Sequence, residues 1–217
     1  MMRKVQRHVI ISTYRFSFFV VALLAVSYFS LVSYKTLAIM QIAHAAPEDA
    51  RAVAEIHVDA WRSAYSRILP ADYLASLSIG KREEMWKNII EAGQTELLLA
   101  KDGGTVLGWV SFGACRDKDA PPSQAELWAI YVAPNNWFKG VGRQLWLRAR
   151  ELLSQQGYST CSLWVFAENE PAIRFYKANG FEADTLPPEE FELGGRQLQE
   201  LRYVCRIDTQ SSELLDL

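Results

Sequence analysis

Metal ligands and cross-linking residues are scarce in this chain. Its cysteines are Cys115, Cys161 and Cys205, an odd number without C-x-x-C spacing, so neither a disulfide framework nor a zinc site is indicated. His8, His44 and His57 do not cluster with cysteine or with spaced carboxylates, and no metal site is expected. Such cysteine usage fits a reducing compartment, the cytoplasm. An excess of charge is missing too: the formal net charge is -2. That small value hides an asymmetry, because residues 1–39 hold Arg3, Lys4, Arg7, Arg15 and Lys35 and no acidic residue, leaving 18 basic against 25 acidic beyond them. An acidic remainder is a poor partner for nucleic-acid backbones and a tolerable one for cationic amines. Internal repeats, low-complexity linkers and the G-K-[ST] of a P-loop are all absent from the sequence.

Hydrophobic residues, by contrast, make up 50% of the 217, enough for one ordinary domain and an appendage. The uncharged run from Phe16 to Tyr34 is long enough to cross a hydrocarbon core of about 30 Å as a helix. Three readings of residues 1–39 stand. As a single-pass membrane anchor the run carries its basic flank on the N-terminal side, which would place the rest of the chain outside the cytoplasm. As a signal peptide it lacks a suitable cleavage site, since Ala43-His44-Ala45 falls in the first expected strand. As a mis-assigned or dispensable extension it leaves Met40 as the start of a domain over 40–206, followed by a tail over 207–217, and this reading is preferred.

Beyond Met40, Ala50, Val53, Ala54, His57 and Val58 recur at helical spacing within 50–60, and a second helical region covers 70–77 and 82–92. Leu97–Ala100 and Val106–Phe112 flank Asp102-Gly103-Gly104 as a hairpin. Ala125–Val132 reads as a buried strand ended by Pro134. A helix over 140–156 stops at Gly157, and a strand follows over 161–166. A helix over 170–178 stops at Asn179-Gly180, and a hairpin turns at Gly194-Gly195. The predicted order is β-α-α-β-β-β-α-β-α-β-β, an α/β protein with a mixed (α+β) sheet.

Two segments carry chemistry. Tyr131-Val132-Ala133-Pro134, followed by Lys139-Gly140-Val141-Gly142-Arg143, sets a G-x-G turn between strand and helix, where free amides and the helix dipole can receive phosphate. On its own such a turn is equally well a tight connection without a ligand. Asn169 is a good N-cap, Pro171 falls in the first helical turn, and Tyr176 lies seven residues, about two turns, past Asn169 on the same side.

Together these segments resemble the GNAT superfamily of acetyl-CoA-dependent N-acetyltransferases, over Met40 to about Arg206. The resemblance implies that Ile130, Tyr131 and Val132 present backbone groups to the acetyl and pantetheine part of acetyl-CoA. It implies that Trp137, Phe138, Lys139, Gly140, Val141, Gly142 and Arg143 form the pyrophosphate turn. The N-x-x-A-x-x-x-Y-x-x-x-G-F pattern matches at Asn169, Ala172, Tyr176, Gly180 and Phe181, with Asn169 contacting the cofactor and Tyr176 protonating the departing thiolate. Trp137 replaces the usual Gln or Arg and Phe138 a common Gly, a departure expected to weaken cofactor binding.

The implied reaction is direct attack of a primary amine, of a small molecule or a protein, on the thioester. An ammonium cannot attack, so a proton acceptor is needed. Glu126 is the candidate, on an alternating strand that would give it the face of Trp128 and Ile130; a solvated or salt-bridged carboxylate is the other reading of the same residue. Trp164 stands where several relatives carry a glutamate. Trp61, Tyr65, Tyr73 and Trp86 either pack a core or shape a cage for an amine. A non-catalytic acyl-CoA-binding module and a homodimer remain open alternatives.

Overall fold

The computed structural model describes residues 40–118 and 120–207; the run over 16–34 and the end of the tail lie outside the described residues. The described chain forms strands β1 (Gln41–His44), β2 (Glu96–Asp102), β3 (Thr105–Ala114), β4 (Gln124–Val132), β5 (Thr160–Phe166), β6 (Glu182–Ala183), β7 (Glu189–Leu193) and β8 (Arg196–Arg206). Helices α1 (Ala50–Ala64), α2 (Ala71–Ser76) and α3 (Ile79–Ala92) precede β2; α4 (Val141–Gln155) joins β4 to β5, and α5 (Glu170–Ala178) follows β5. The sheet runs β1-β2-β3-β4-β5-β8-β6, with β7 added to β8. Every pairing is antiparallel except β4 with β5.

The predicted order holds, with two additions. The second helical region is two helices, because Ser78 stays extended and its Oγ accepts from the Lys81 amide at 3.3 Å, capping α3 afresh. The short strand β6 was not expected. Ile207, assigned above to the tail, is buried and donates its amide to the Ser159 carbonyl at 2.9 Å.

Side chains sort onto two faces of the sheet. Leu98, Val110, Phe112, Ala125, Leu127, Leu163 and Tyr203 pack against Leu145, Trp146 and Leu153 of α4. Leu97, Leu99 and Trp109 pack the opposite face against Val53 and Ala54 of α1 and Trp86 of α3. A β-bulge interrupts this alternation in β4: Ser111 pairs with Ala129 but Phe112 with Leu127, leaving Trp128 as the extra residue. The phase therefore reverses along β4, and Leu127 shares its face with Ile130 and Val132 while Glu126 falls in with Ala129 and Tyr131. Gly113 leaves room for the Trp128 ring: a Cβ there would sit 2.7 Å from it.

His57 of α1 shows how tightly the second face is packed. It is 7% exposed and surrounded by the rings of Trp61, Trp86, Trp109 and Tyr131. Its Nδ1 accepts from Trp86 Nε1 at 3.1 Å, so the neutral ring carries its proton on Nε2, which meets no acceptor among the described residues. Burial, aided by the nearby Arg82 guanidinium, lowers its pKa to about 3. An unfolded histidine titrates near 6.5. Between these values the unfolded chain binds the extra proton, so stability falls as pH falls through that window and is unaffected by His57 above it. Acidification from pH 6.5 to 5 is expected to cost about 2 kcal/mol. Urea titrations of the native chain and His57→Gln at both pH values check this, the variant losing that part of the slope.

Candidate active site

β4 and β5 are held together only over Gln124–Glu126 against Thr160–Ser162. Past that point they part, and the backbone groups of β4 that face β5 are left for a ligand rather than a ladder. A cavity of about 810 Å³ opens in the gap. Trp61 of α1 and Tyr65 at its C-terminal end, the end of β4, the turn before α4, Asn169 and Tyr176 at α5, and Phe191 and Glu200 of the closing hairpin all line it.

The turn is set by local chain chemistry. Pro134–Asn136 make one 3-10 turn after β4. Trp137, in the place of the usual Gln or Arg, donates Nε1 to the Val132 carbonyl at 2.7 Å and ties the turn to the strand end. Gly140 then takes a left-handed φ of 83°, with nothing within 4 Å of a notional Cβ, and α4 starts at Val141. The first amides of that helix have no intrahelical acceptor and carry the positive dipole end, as a pyrophosphate requires. Phe138 also takes a left-handed φ, 61°, and is 98% exposed on the rim. A non-glycine residue in that region is strained by about 1–2 kcal/mol. Phe138→Gly is therefore expected to stabilise the fold by about 1 kcal/mol, after the added chain freedom of glycine is offset, read as a higher urea midpoint.

Ile130, Tyr131, Val132, Trp137, Phe138, Gly140, Val141, Gly142, Arg143, Asn169 and Tyr176 all line the cavity. Lys139 does not; its Nζ lies 3.5 Å from Asn136 Oδ1 on the exposed side of the turn. Asn169 caps α5 through an Ala172 amide donated to its Oδ1 at 3.4 Å, and α5 brings Tyr176 to the cavity. The Tyr176 hydroxyl is pushed well above its ordinary range by burial, with Tyr131 adding to the shift. Tyr131 is raised by burial, against which hydrogen bonding with Trp61 and Tyr65 works; the Trp61 Nε1 to Tyr131 Oη distance is 2.8 Å. Three neutral phenols thus converge on the gap.

Glu126 needs correction. It is 3% exposed and does not line the cavity. The Arg116 amide and Nε donate to its Oε2 at 2.9 and 3.1 Å, and the Arg116 guanidinium also holds Oε1. The bulge at Trp128 breaks the alternation that was to carry Glu126 onto the face of Ile130, so the salt-bridged reading applies. Trp164 lines the cavity and donates its Nε1 to Asp117 at 3.1 Å.

Glu200 was missed. It pairs with Phe166 across β5–β8 and with Glu189 across β7–β8, and its side chain lines the cavity. The signal was in β8: Glu200 and Arg202 fall at the parity of Leu198, a buried-strand position where a charge calls for a reason. Of the four aromatics read above as either core or cage, Tyr73 and Trp86 pack cores, and Trp61 and Tyr65 reach the cavity.

A parted sheet with a helix start of free amides on one side of the gap and a protonated phenol within it suits an acyl-thioester-dependent transferase. The comparisons agree. The acetyltransferase (GNAT) family model matches residues 50–181. An uncharacterised N-acetyltransferase of Bacillus subtilis, YuaI, is 36% identical over 71% of this chain and 86% of its own length. The spermidine N(1)-acetyltransferase of Thermoplasma acidophilum is 27% identical over 66% of this chain and 89% of its own. Among solved structures, the PaiA N-acetyltransferase of the same archaeon, in complex with coenzyme A, superposes with a TM-score of 0.64 over 77% of this chain and 98% of that one, at 23% identity. The chain belongs to the GNAT acetyltransferase family: it is an N-acetyltransferase, and acetyl-CoA is its co-substrate.

Proposed function

We propose that this enzyme transfers acetyl from acetyl-CoA to a primary amine by direct attack, without a covalent enzyme intermediate. The observation that carries the reading is the gap between β4 and β5, which opens one cavity to both faces of the sheet. Acetyl-CoA enters along the α4 and α5 side, its pyrophosphate on the amides of Gly140 to Arg143 and its pantetheine along Ile130 to Val132. Trp137 braces that turn, Phe138 and Val141 flank it, and Asn169 closes the far side; Lys139 supplies positive charge at its outer edge. The free strand amides near Val132 polarise the thioester carbonyl. Tyr176 gives a proton to the leaving sulfur. The acceptor arrives from the side of Tyr65, Phe166 and Phe191.

The catalytic domain on this reading begins at Met40, where a compact unit of the chain starts. Among the described residues no helix is long and apolar enough to cross a membrane; the run over 16–34 lies outside them. Small polyamines and protein N-termini are both acceptors to test, given the spermidine enzyme above and a 25%-identical structural neighbour described as a ribosomal-protein-alanine N-acetyltransferase of Brucella melitensis, with a TM-score of 0.61. Thiol release from acetyl-CoA with spermidine, an alkylamine and an alanine-terminated peptide tests the reading. Release with at least one supports it; tight acetyl-CoA binding by calorimetry without any release would instead favour a binding module.

A further inference from the structure

The reaction needs a group that removes a proton from the incoming ammonium, and Glu126 is tied to Arg116 away from the cavity. Glu200 is placed differently. It stands on β8 opposite Phe166, on the face from which Tyr65 and Tyr131 enter the gap. Both phenols lie within electrostatic range of its carboxylate. No hydrogen bond or ion pair engages that carboxylate among the described residues, whereas its neighbour Glu190 accepts from Gln199 at 2.8 Å. We propose that Glu200 is the catalytic proton acceptor, receiving the ammonium proton of the acceptor amine at the mouth of the gap. The assignment rests on the acetyl-transfer reading above.

The surrounding charges suit the task. Burial raises the Glu200 carboxyl above its ordinary range, and Glu189 on β7 and Glu126 on β4 push the same way, while Arg116 pulls it down. A carboxylate so placed is more basic than one in water, which suits it to accept a proton. Proton accounting closes. Glu200 takes one proton from R–NH3+ and passes it to solvent; the C–N bond forms as the C–S bond breaks. Tyr176 gives its proton to sulfur and is restored by the proton that leaves the new amide nitrogen, so one proton is released overall.

Glu200→Gln tests this in the full-length enzyme, by thiol release from acetyl-CoA with the alkylamine and spermidine between pH 6 and 10.5. Loss of a general base costs typically 10²–10⁴-fold. The expected result is a fall in kcat of about 100-fold at pH 7, with KM for acetyl-CoA unchanged and the variant closing on the native rate as the amine deprotonates in solution. Retention of native rates at pH 7, or a deficit of the same size at every pH, overturns the assignment, the latter pointing to a structural role. Calorimetric binding of coenzyme A to Glu200→Gln, expected at native affinity, separates misfolding from lost chemistry. If the native enzyme acetylates no amine of the panel, the acetyl-transfer reading falls and this assignment with it; if it does and Glu200→Gln is unimpaired, this assignment alone falls.

Discussion

Tyr176→Phe is expected to lower kcat by about 10²–10³-fold, which is roughly 3–4 kcal/mol of transition-state stabilisation, with KM for acetyl-CoA little changed. The ring itself has a packing role that Phe preserves: it meets Phe175 at 5.4 Å and Phe181 at 5.8 Å between centroids. What Phe removes is the hydroxyl. Burial holds that hydroxyl well above its ordinary pKa, so the phenol remains protonated, and able to donate, throughout the working range. A donor whose pKa is raised loses its proton only above that value; the basic limb of the native profile therefore does not arise from Tyr176 below pH 10. Stopped thiol-release assays measure the loss. An acetyl thioester of an acidic aryl thiol supplies the sharper check, because its thiolate departs without protonation. The deficit of Tyr176→Phe should shrink on that substrate, whereas a deficit of Glu200→Gln should persist. An undiminished deficit with the aryl thioester would mean that Tyr176 orients the thioester rather than protonates sulfur.

The parts of this enzyme that repeat or punctuate were legible in the sequence. Helical spacing located α1, Gly157 and Gly180 located helix ends, and Asn169 with Tyr176 two turns on brought both to one cavity. The true placing of Glu126 was not legible, and the reason is one residue. Strand reasoning assumes period two, and the bulge at Trp128 inserts an extra residue. Nothing within AELWAIYV announces it. The same bulge lies just beyond the short pairing of β4 with β5, and because bulges bend the strand that carries them it favours the parting there. Glu200 was hidden for a different reason. It becomes a site residue only through the sheet order, which sets β8 beside β5 although Phe166 and Glu200 are far apart in sequence.

Trp109→Ala is expected to cost about 3–5 kcal/mol, a large part of the 5–15 kcal/mol by which ordinary domains are stable. Trp109 is fully buried at the centre of β3. Its ring meets Trp86 at 4.7 Å, Tyr131 at 5.0 Å and His57 at 5.7 Å between centroids, so truncation leaves a void among rigid rings that cannot readily collapse. The indole Nε1 also donates to the Val53 carbonyl at 3.1 Å, linking β3 to α1; losing one such bond costs about 1 kcal/mol. Urea titration at pH 7 reads the loss, and Trp109→Phe keeps the assay usable if the alanine variant fails to fold, with a smaller loss expected because most of the ring contacts survive. The consequence reaches the chemistry. Tyr131 stands opposite Trp109 in the β3–β4 register, stacked on His57 at 5.1 Å and held by Trp61 at 2.8 Å. Trp109 is thus the floor on which the acceptor side of the gap is built. Trp109→Phe should lower the rate of amine acetylation by more than it weakens coenzyme A binding, whose proposed pyrophosphate site lies at the α4 turn on the other face.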